Sequence, residues 1–322
     1  MKEAIRNFPK QLKFEPKIEN GENFKPAKKF IVSGMGGSHL AADLIKAWNP
    51  SFDMTVHHDY GLPAVDLKKC LIIISSYSGN TEEALDGFNK AILEKLPLAA
   101  ISIGGKLLEL AKEHQKPYIQ MPDTGIEPRS ALGFSLVSML KMMGQEKALS
   151  DIKNISFNMA DLEEKGQALA QRLKNHIPVI YTSTANGPIG YNWKIRFNET
   201  GKIPAFCNTI PELNHNEMVG FDREGESKGL SDSFYFLFLK DNQDHKRNLL
   251  RMDITKEILE EKGLTVEILE LEGKNAWEKI FTSLTMADWA AYYTAQIYKL
   301  EAQETAIITR FKNTIKERGG SI

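Results

Sequence analysis

Hydroxyl side chains cluster where they could hold an anion. Ser76, Ser78 and Thr81 fall in the segment SYSGNT, with Gly79 and Asn80 supplying turn chemistry. The β-branched run Leu71–Ile74 precedes them. Ala84, Leu85, Phe88, Ala91 and Ile92 follow at the spacing of one helical face. The stretch therefore reads as strand, hydroxyl-rich turn, helix. The first turn of a helix has N–H groups with no intrahelical partner, and the helix dipole adds partial positive charge there. A phosphate fits such a place, and serine and threonine hydroxyls donate to it without bringing charge. The plainer reading makes Ser78 or Thr81 an ordinary N-cap, and this segment alone leaves the two readings level.

A second unit of the same plan lies upstream. Lys29–Val32 reads as a strand, Ser33-Gly34-Met35-Gly36-Gly37-Ser38 as a turn, and His39–Trp48 as a helix with Leu40, Leu44 and Trp48 on one face. Gly36 and Gly37 let the backbone approach a ligand closely, and Ser38 adds a hydroxyl. The spacing departs from the dinucleotide fingerprint and no Walker lysine follows, so a nucleotide cofactor is not expected. The plainer reading is a glycine-rich turn needed for packing. Two hydroxyl-bearing helix starts in one βα series can converge on a single ligand.

Three further side chains could carry chemistry. Arg129 sits at an expected helix start, in Glu127-Pro128-Arg129-Ser130, where the dipole disfavours a cation. An anionic ligand is one reading and a surface pair with Glu127 the plainer one. Glu199 ends a helix whose one stripe is Asn192, Arg196 and Glu199; alone it reads as a solvated glutamate. His215 stands between Asn214 and Asn216 just after Pro211, an expected first helical turn, where a neutral imidazole can accept a proton. Alone it reads as a structural histidine. His57 and His58 are neighbours on an expected strand and point to opposite faces, so a shared metal is not expected.

The elements that must position these groups alternate strand and helix. Expected strands are Met54–His58, Leu98–Ile103 and Tyr118–Met121 in the first half. Ile177–Thr182, Ala205–Asn208, Phe234–Leu239 and Thr265–Leu271 follow in the second. The order predicts an α/β fold with parallel sheets covered by helices on both faces. The polar stretch 143–156 reads as a domain crossing, which divides the chain at 1–152 and 153–322. A polar turn at Ser183–Pro188 opens a helix in the second half and repeats the plan of the first. A formal net charge of −1 gives no electrostatic reason to expect nucleic acid or an anionic membrane as partner. The two cysteines, Cys70 and Cys207, fit a reducing cytoplasm, and the charged start MKEAIRNFPKQLKFEP predicts no signal peptide.

Taken together, GMGGS at Gly34–Ser38, SYSGNTEE at Ser76–Glu83, PRSALG at Pro128–Gly133, NET-GKIPAF at Asn198–Phe206 and PELNHNE at Pro211–Glu217 resemble the bifunctional phosphoglucose/phosphomannose isomerases of the sugar isomerase (SIS) superfamily. The resemblance covers nearly the whole chain. It implies two SIS-type domains, each with a five-stranded parallel sheet. The activity it implies is interconversion of fructose 6-phosphate with glucose 6-phosphate and mannose 6-phosphate, with no metal and no cofactor. It further implies a homodimer with His215 contributed across the interface. Ser38, Ser76, Ser78 and Thr81 would hold the phosphate, Glu199 would be the base, His215 would open the ring, and Arg129 would sit beside the enediolate. Thr305 and Lys312 match a threonine and a lysine of the site by spacing; the Asp-Pro usual before that threonine is absent, and this chain reads Glu301-Ala302-Gln303-Glu304-Thr305.

That chemistry suits these side-chain types. One carboxylate can move a proton between C1 and C2 on one face of a cis-enediol(ate). Ring opening moves a proton from the C1 hydroxyl to the ring oxygen, work for a histidine near neutral pH. A fixed arginine offsets the charge that develops. The competing readings are a SIS isomerase for another phosphosugar and a non-catalytic sugar-phosphate-binding protein.

Overall fold

The computed structural model describes residues 1–319. Two compact units form. One is Arg6–Ile155 with Thr305–Ile322, and the other is Met1–Ile5 with Ser156–Glu304. Among the described residues no helix is long and apolar enough to cross a membrane.

The chain begins with two short helices, α1 (Lys2–Arg6) and α2 (Phe8–Gln11). Then β1 (Phe30–Ser33), α3 (Gly37–Trp48), β2 (Met54–His57), β3 (Leu71–Ser75), α4 (Glu82–Leu93), β4 (Leu98–Ser102), α5 (Gly105–Glu113) and β5 (Tyr118–Gln120) alternate. All strand pairs are parallel, in the order β2-β1-β3-β4-β5. Every residue of β1, β3 and β4 is buried, which is why these strands are apolar at nearly every position. Ile72, Ile74 and Ala100 cluster with Phe88 and Ala91 of α4 and Leu107 and Leu108 of α5. Their neighbours Ile73, Ala99 and Ile101 point the other way, toward α3 and α6 (Leu132–Met142), which pack on each other. Helices thus cover both faces.

The boundary between the two units falls within the stretch 143–156, after Ile155, but the stretch is not irregular throughout. Its middle folds as α7 (Glu146–Lys153), which packs on α6 and buries Ala148, Leu149 and Ile152. Those three apolar positions have helical spacing but are diluted by lysine, serine and aspartate, so the polar composition hid them.

The second unit runs α8 (Met159–Arg172), β6 (Ile177–Ser183), α9 (Gly187–Glu199), β7 (Phe206–Ile210), β8 (Phe234–Lys240), α10 (Lys246–Glu261), β9 (Thr265–Glu270) and α11 (Ala276–Ile297). Its parallel sheet has the order β7-β6-β8-β9. It has four strands, one fewer than the resemblance implies. The chain passes from β9 into α11, the long helix packed on α8 and α9, and no further strand follows among the described residues. Val179, Tyr181, Phe236 and Phe238 face Met252 and Leu259 of α10; Ile180, Leu237 and Leu239 alternate with them and are fully buried on the other side. The last helix, α12 (Ala306–Gly319), buries none of its described side chains.

Candidate active site

Open α/β sheets of this order change direction between their first and third strands. Ligands bind there, outside the carboxyl ends. In the unit Arg6–Ile155 that point lies between β1 and β3, which pair with Ser33 opposite Ile74. The glycine-rich turn after β1 and the hydroxyl turn after β3 therefore emerge side by side. Their contacts are direct: Ser38 Oγ accepts the Tyr77 N–H at 2.9 Å, and Ser75 Oγ donates to the Ser38 carbonyl at 3.0 Å.

The hydroxyls at this corner divide by role. Ser76 has no exposed surface; its Oγ donates to Thr81 Oγ1 at 2.9 Å and accepts the Gly79 N–H at 3.1 Å. It shapes the turn and aims Thr81. Thr81 occupies the N-cap of α4, yet its side chain makes no capping bond. The plainer reading of Thr81 thus fails on geometry. With Ser76 donating to it, the Thr81 O–H is left to donate outward. Ser78 is exposed, its Oγ accepting the Asn80 N–H at 3.2 Å. The first i→i−4 bond of α4 runs from Leu85 to Thr81, so the N–H groups of Glu82, Glu83 and Ala84 precede the helical ladder. Isosteric Thr81→Val should therefore weaken inorganic phosphate binding roughly tenfold, the worth of one hydrogen bond to a charged group. Unchanged affinity by calorimetry would make Thr81 a purely structural residue.

Gly36 and Gly37 serve different ends. Gly36 has φ +51°, the left-handed region, and a Cβ there would meet nothing within 4 Å. A Cβ on Gly37 would lie 2.9 Å from the Pro128 carbonyl carbon and 3.0 Å from the Arg129 nitrogen. Only glycine lets α3 sit this close to the turn carrying Arg129. That turn, Pro128–Ser130, is one turn of 3-10 helix before α6. Gln11 holds it from behind, donating to the Ser130 carbonyl at 2.6 Å and accepting the Gly133 N–H at 3.0 Å. Arg129 is 4% exposed, with Glu127 3.8 Å away, too far for a hydrogen bond. It is a buried arginine within ion-pair range of Glu127, so the pair exists but does not lie at the surface. Gly36, Gly37, Ser38, Ser76, Ser78, Thr81 and Arg129 thus belong to one corner of one unit.

Glu199 and His215 belong to the other unit. Glu199 is the last residue of α9 and half-buried. Its surroundings are built by the residues about it. Asn198 Nδ2 donates to the Ile203 carbonyl at 3.1 Å, and Lys202 Nζ donates to the carbonyls of Glu199 (2.7 Å) and Glu304. One turn earlier, buried Arg196 lies 2.7 Å from Asp288 through its Nε, a charge contact off the N–H line, and donates from Nη1 to Asn192 Oδ1 at 2.9 Å. Lys202 is reached through a left-handed φ of +60°.

His215 does not open a helix. It closes a single 3-10 turn, Glu212–His215, and does not sit in the first turn of a helix as expected. It is exposed, and its imidazole makes no hydrogen bond among the described residues. Thr305 precedes α12, its carbonyl accepting the Ile308 and Thr309 N–H groups. Lys312 lies two turns on, exposed, on the same helical face as Thr305.

Three further features went unread in the sequence. Glu217, the last residue of PELNHNE, accepts from the Tyr181 hydroxyl at 2.5 Å and from Asn208 Nδ2. Burial first, then this carboxylate, push the Tyr181 phenol far above its ordinary range, so it stays a donor. The second feature is the counterpart corner between β6 and β8. There Ser183 Oγ donates to Asp244 Oδ1 at 2.7 Å and Asn186 Nδ2 to the same oxygen at 3.2 Å. The repeated polar turn is closed by the chain's own carboxylate, supplied by the loop that in the other unit carries hydroxyls. Burial raises the Asp244 carboxyl, against the pull of the Ser183 donor. The sequence signal was DNQDH after a strand, where SYSGNT stands in the first unit. The third is Gln11, far from Arg129 in sequence and without any local signal.

Comparison with known proteins supplies the family. Residues 162–315 match the family described as bacterial phospho-glucose isomerase C-terminal SIS domain. A bifunctional phosphoglucose/phosphomannose isomerase of Aquifex aeolicus is 33% identical, over 98% of each chain. The chain belongs to the bifunctional phosphoglucose/phosphomannose isomerase family. Another member, from Caldicellulosiruptor bescii, is 32% identical over 98% of this chain and 99% of that one. Among solved structures, a hypothetical protein from Thermus thermophilus shares the fold with a TM-score of 0.69 at 17% identity, covering 99% of this chain and 88% of its own.

Proposed function

We propose that this protein is an aldose–ketose isomerase that interconverts fructose 6-phosphate with glucose 6-phosphate and mannose 6-phosphate. The observation that carries the reading is the hydroxyl corner between β1 and β3, found in a chain that matches family members end to end. The phosphate is gripped by Thr81 and Ser78 with the leading N–H groups of α4. Ser38, whose Oγ already accepts from Tyr77, has its O–H left to join them. Ser76 holds Thr81 in place.

His215 opens the sugar ring. Glu199 then moves one proton between C1 and C2 through a cis-enediol(ate), and Arg129 and Lys312 offset charge as it develops. No metal or cofactor takes part in this scheme. The protein is a homodimer in which His215 serves the site of the partner copy, which fits the exposure of its imidazole and that ring's lack of a hydrogen bond among the described residues. A cytoplasmic location fits the two unpaired cysteines.

A coupled assay on fructose 6-phosphate, run toward each hexose phosphate side by side, tests the reading. Turnover to both is expected. A protein that binds these sugars and turns over neither would be a binding protein instead. Acceptance of both epimers needs rotation about C2–C3 of one enediol, and Thr305 is small enough to leave that room. Thr305→Gln should lower mannose 6-phosphate turnover several-fold more than glucose 6-phosphate turnover, since steric changes in a pocket discriminate by about 1–3 kcal/mol. Equal losses on both substrates would refute this role.

A further inference from the structure

The segment 211–217 is tied down at almost every residue except the histidine. Glu212 Oε1 accepts from Asn216 Nδ2 at 2.7 Å, and Asn216 Oδ1 accepts the Glu217 N–H at 2.6 Å. Asn214 Nδ2 donates to Thr255 Oγ1 at 2.8 Å, and Leu213 is fully buried in the core. Glu217 reaches the sheet itself. One of its oxygens accepts from Tyr181 in β6 and the other from Asn208 in β7, two strands paired side by side. Tyr181 is 1% exposed and packs against Phe236 and Phe238.

The clamp suits a carboxylate. One oxygen of Glu217 accepts from the Tyr181 hydroxyl and the other from the Asn208 amide. A glutamine would turn an N–H₂ toward one of them, and the Tyr181 hydroxyl could accept it only by giving up the bond it donates. Asn208 cannot flip to compensate without loss, because its Oδ1 already accepts the Thr209 N–H at 2.8 Å. A chain of two 3-10 turns has few internal bonds to hold its shape. The sheet anchor two residues away is therefore the firmest constraint on His215.

We infer that Glu217 is a positioning residue: clamped by Tyr181 and Asn208, it fixes the 3-10 segment so that His215 is presented in one place for ring opening. The inference rests on the role assigned to His215 above. Misplacement of a reacting group by about 1 Å can cost roughly a hundredfold in rate.

The test compares two sugars in the full-length protein: fructose 6-phosphate, and its 5-deoxy analogue, which cannot close a ring. In Glu217→Gln and Tyr181→Phe, kcat on fructose 6-phosphate should fall roughly tenfold to a hundredfold, with inorganic phosphate affinity kept. Turnover of the acyclic analogue should match the unmodified protein. Tyr181→Phe keeps the ring in the core and carries the test if Glu217→Gln fails to fold. Wild-type kcat on the ring sugar in a folded variant, or equal losses on both sugars, overturns the inference. His215→Ala separates the two levels. If it is impaired on the ring sugar while the Glu217 and Tyr181 variants are not, only the positioning role is lost. If it too turns over the ring sugar normally, the assignment of His215 falls and the inference with it.

Discussion

Glu199→Gln is expected to cut kcat for fructose 6-phosphate isomerisation by roughly 10²–10⁴-fold, the usual worth of a positioned proton-transfer group. Binding of the sugar phosphate should stay nearly intact. The amide has the shape of the carboxylate but cannot take a proton from C1 or C2. The end of α9 is held by the backbone carbonyl of Glu199 and by the side chains of Asn198, Lys202 and Arg196, all of which the substitution keeps. The phosphate grip proposed above is built elsewhere, on the turns after β1 and β3. The variant therefore separates chemistry from affinity. Steady-state kinetics with calorimetric binding of a non-reactive sugar phosphate would measure both. Retained turnover would reject Glu199 as the base, and a parallel collapse of binding would make it a structural residue.

Arg129→Gln is expected to lower kcat by about 10²–10³-fold, as for loss of one fixed donor aimed at developing charge. The arginine is buried, and its turn is braced by Gln11 and by the backbone contact at Gly37. Lysine at the same position keeps the charge but loses the planar fork, and should recover only part of the rate. The split between kinetic constants decides the role. A fall confined to kcat places Arg129 at the enediolate. A rise in KM at constant kcat would move it to the phosphate grip and contradict the assignment made here.

Much of this architecture follows from local rules. Strands β1, β3 and β4 are buried on both faces, so an unbroken apolar run marks each of them in the sequence, and the glycines and hydroxyls that follow mark the turns. The motifs around Ser38, Thr81, Arg129, Glu199 and His215 are contiguous, so each could be picked out on its own. Local rules failed where composition masked periodicity, as in α7, and where a proline-led segment chose 3-10 turns over the expected helix at His215.

What the chain itself determined is which side chains are available and which strand–turn–helix units carry them. Only the folded units decided how those side chains are used. Ser76 and Ser78 are the same residue type two positions apart, yet one is sealed beneath Thr81 and the other is exposed. The turns after β1 and β6 are both polar, yet only the second is filled, because Asp244 arrives there from the loop after β8. Gln11 and Glu217 do their work on partners that no local pattern names. Hydrogen-bond partners far apart in sequence are brought together only by strand order and register, and a buried polar group's role is set by which donor or acceptor meets it there.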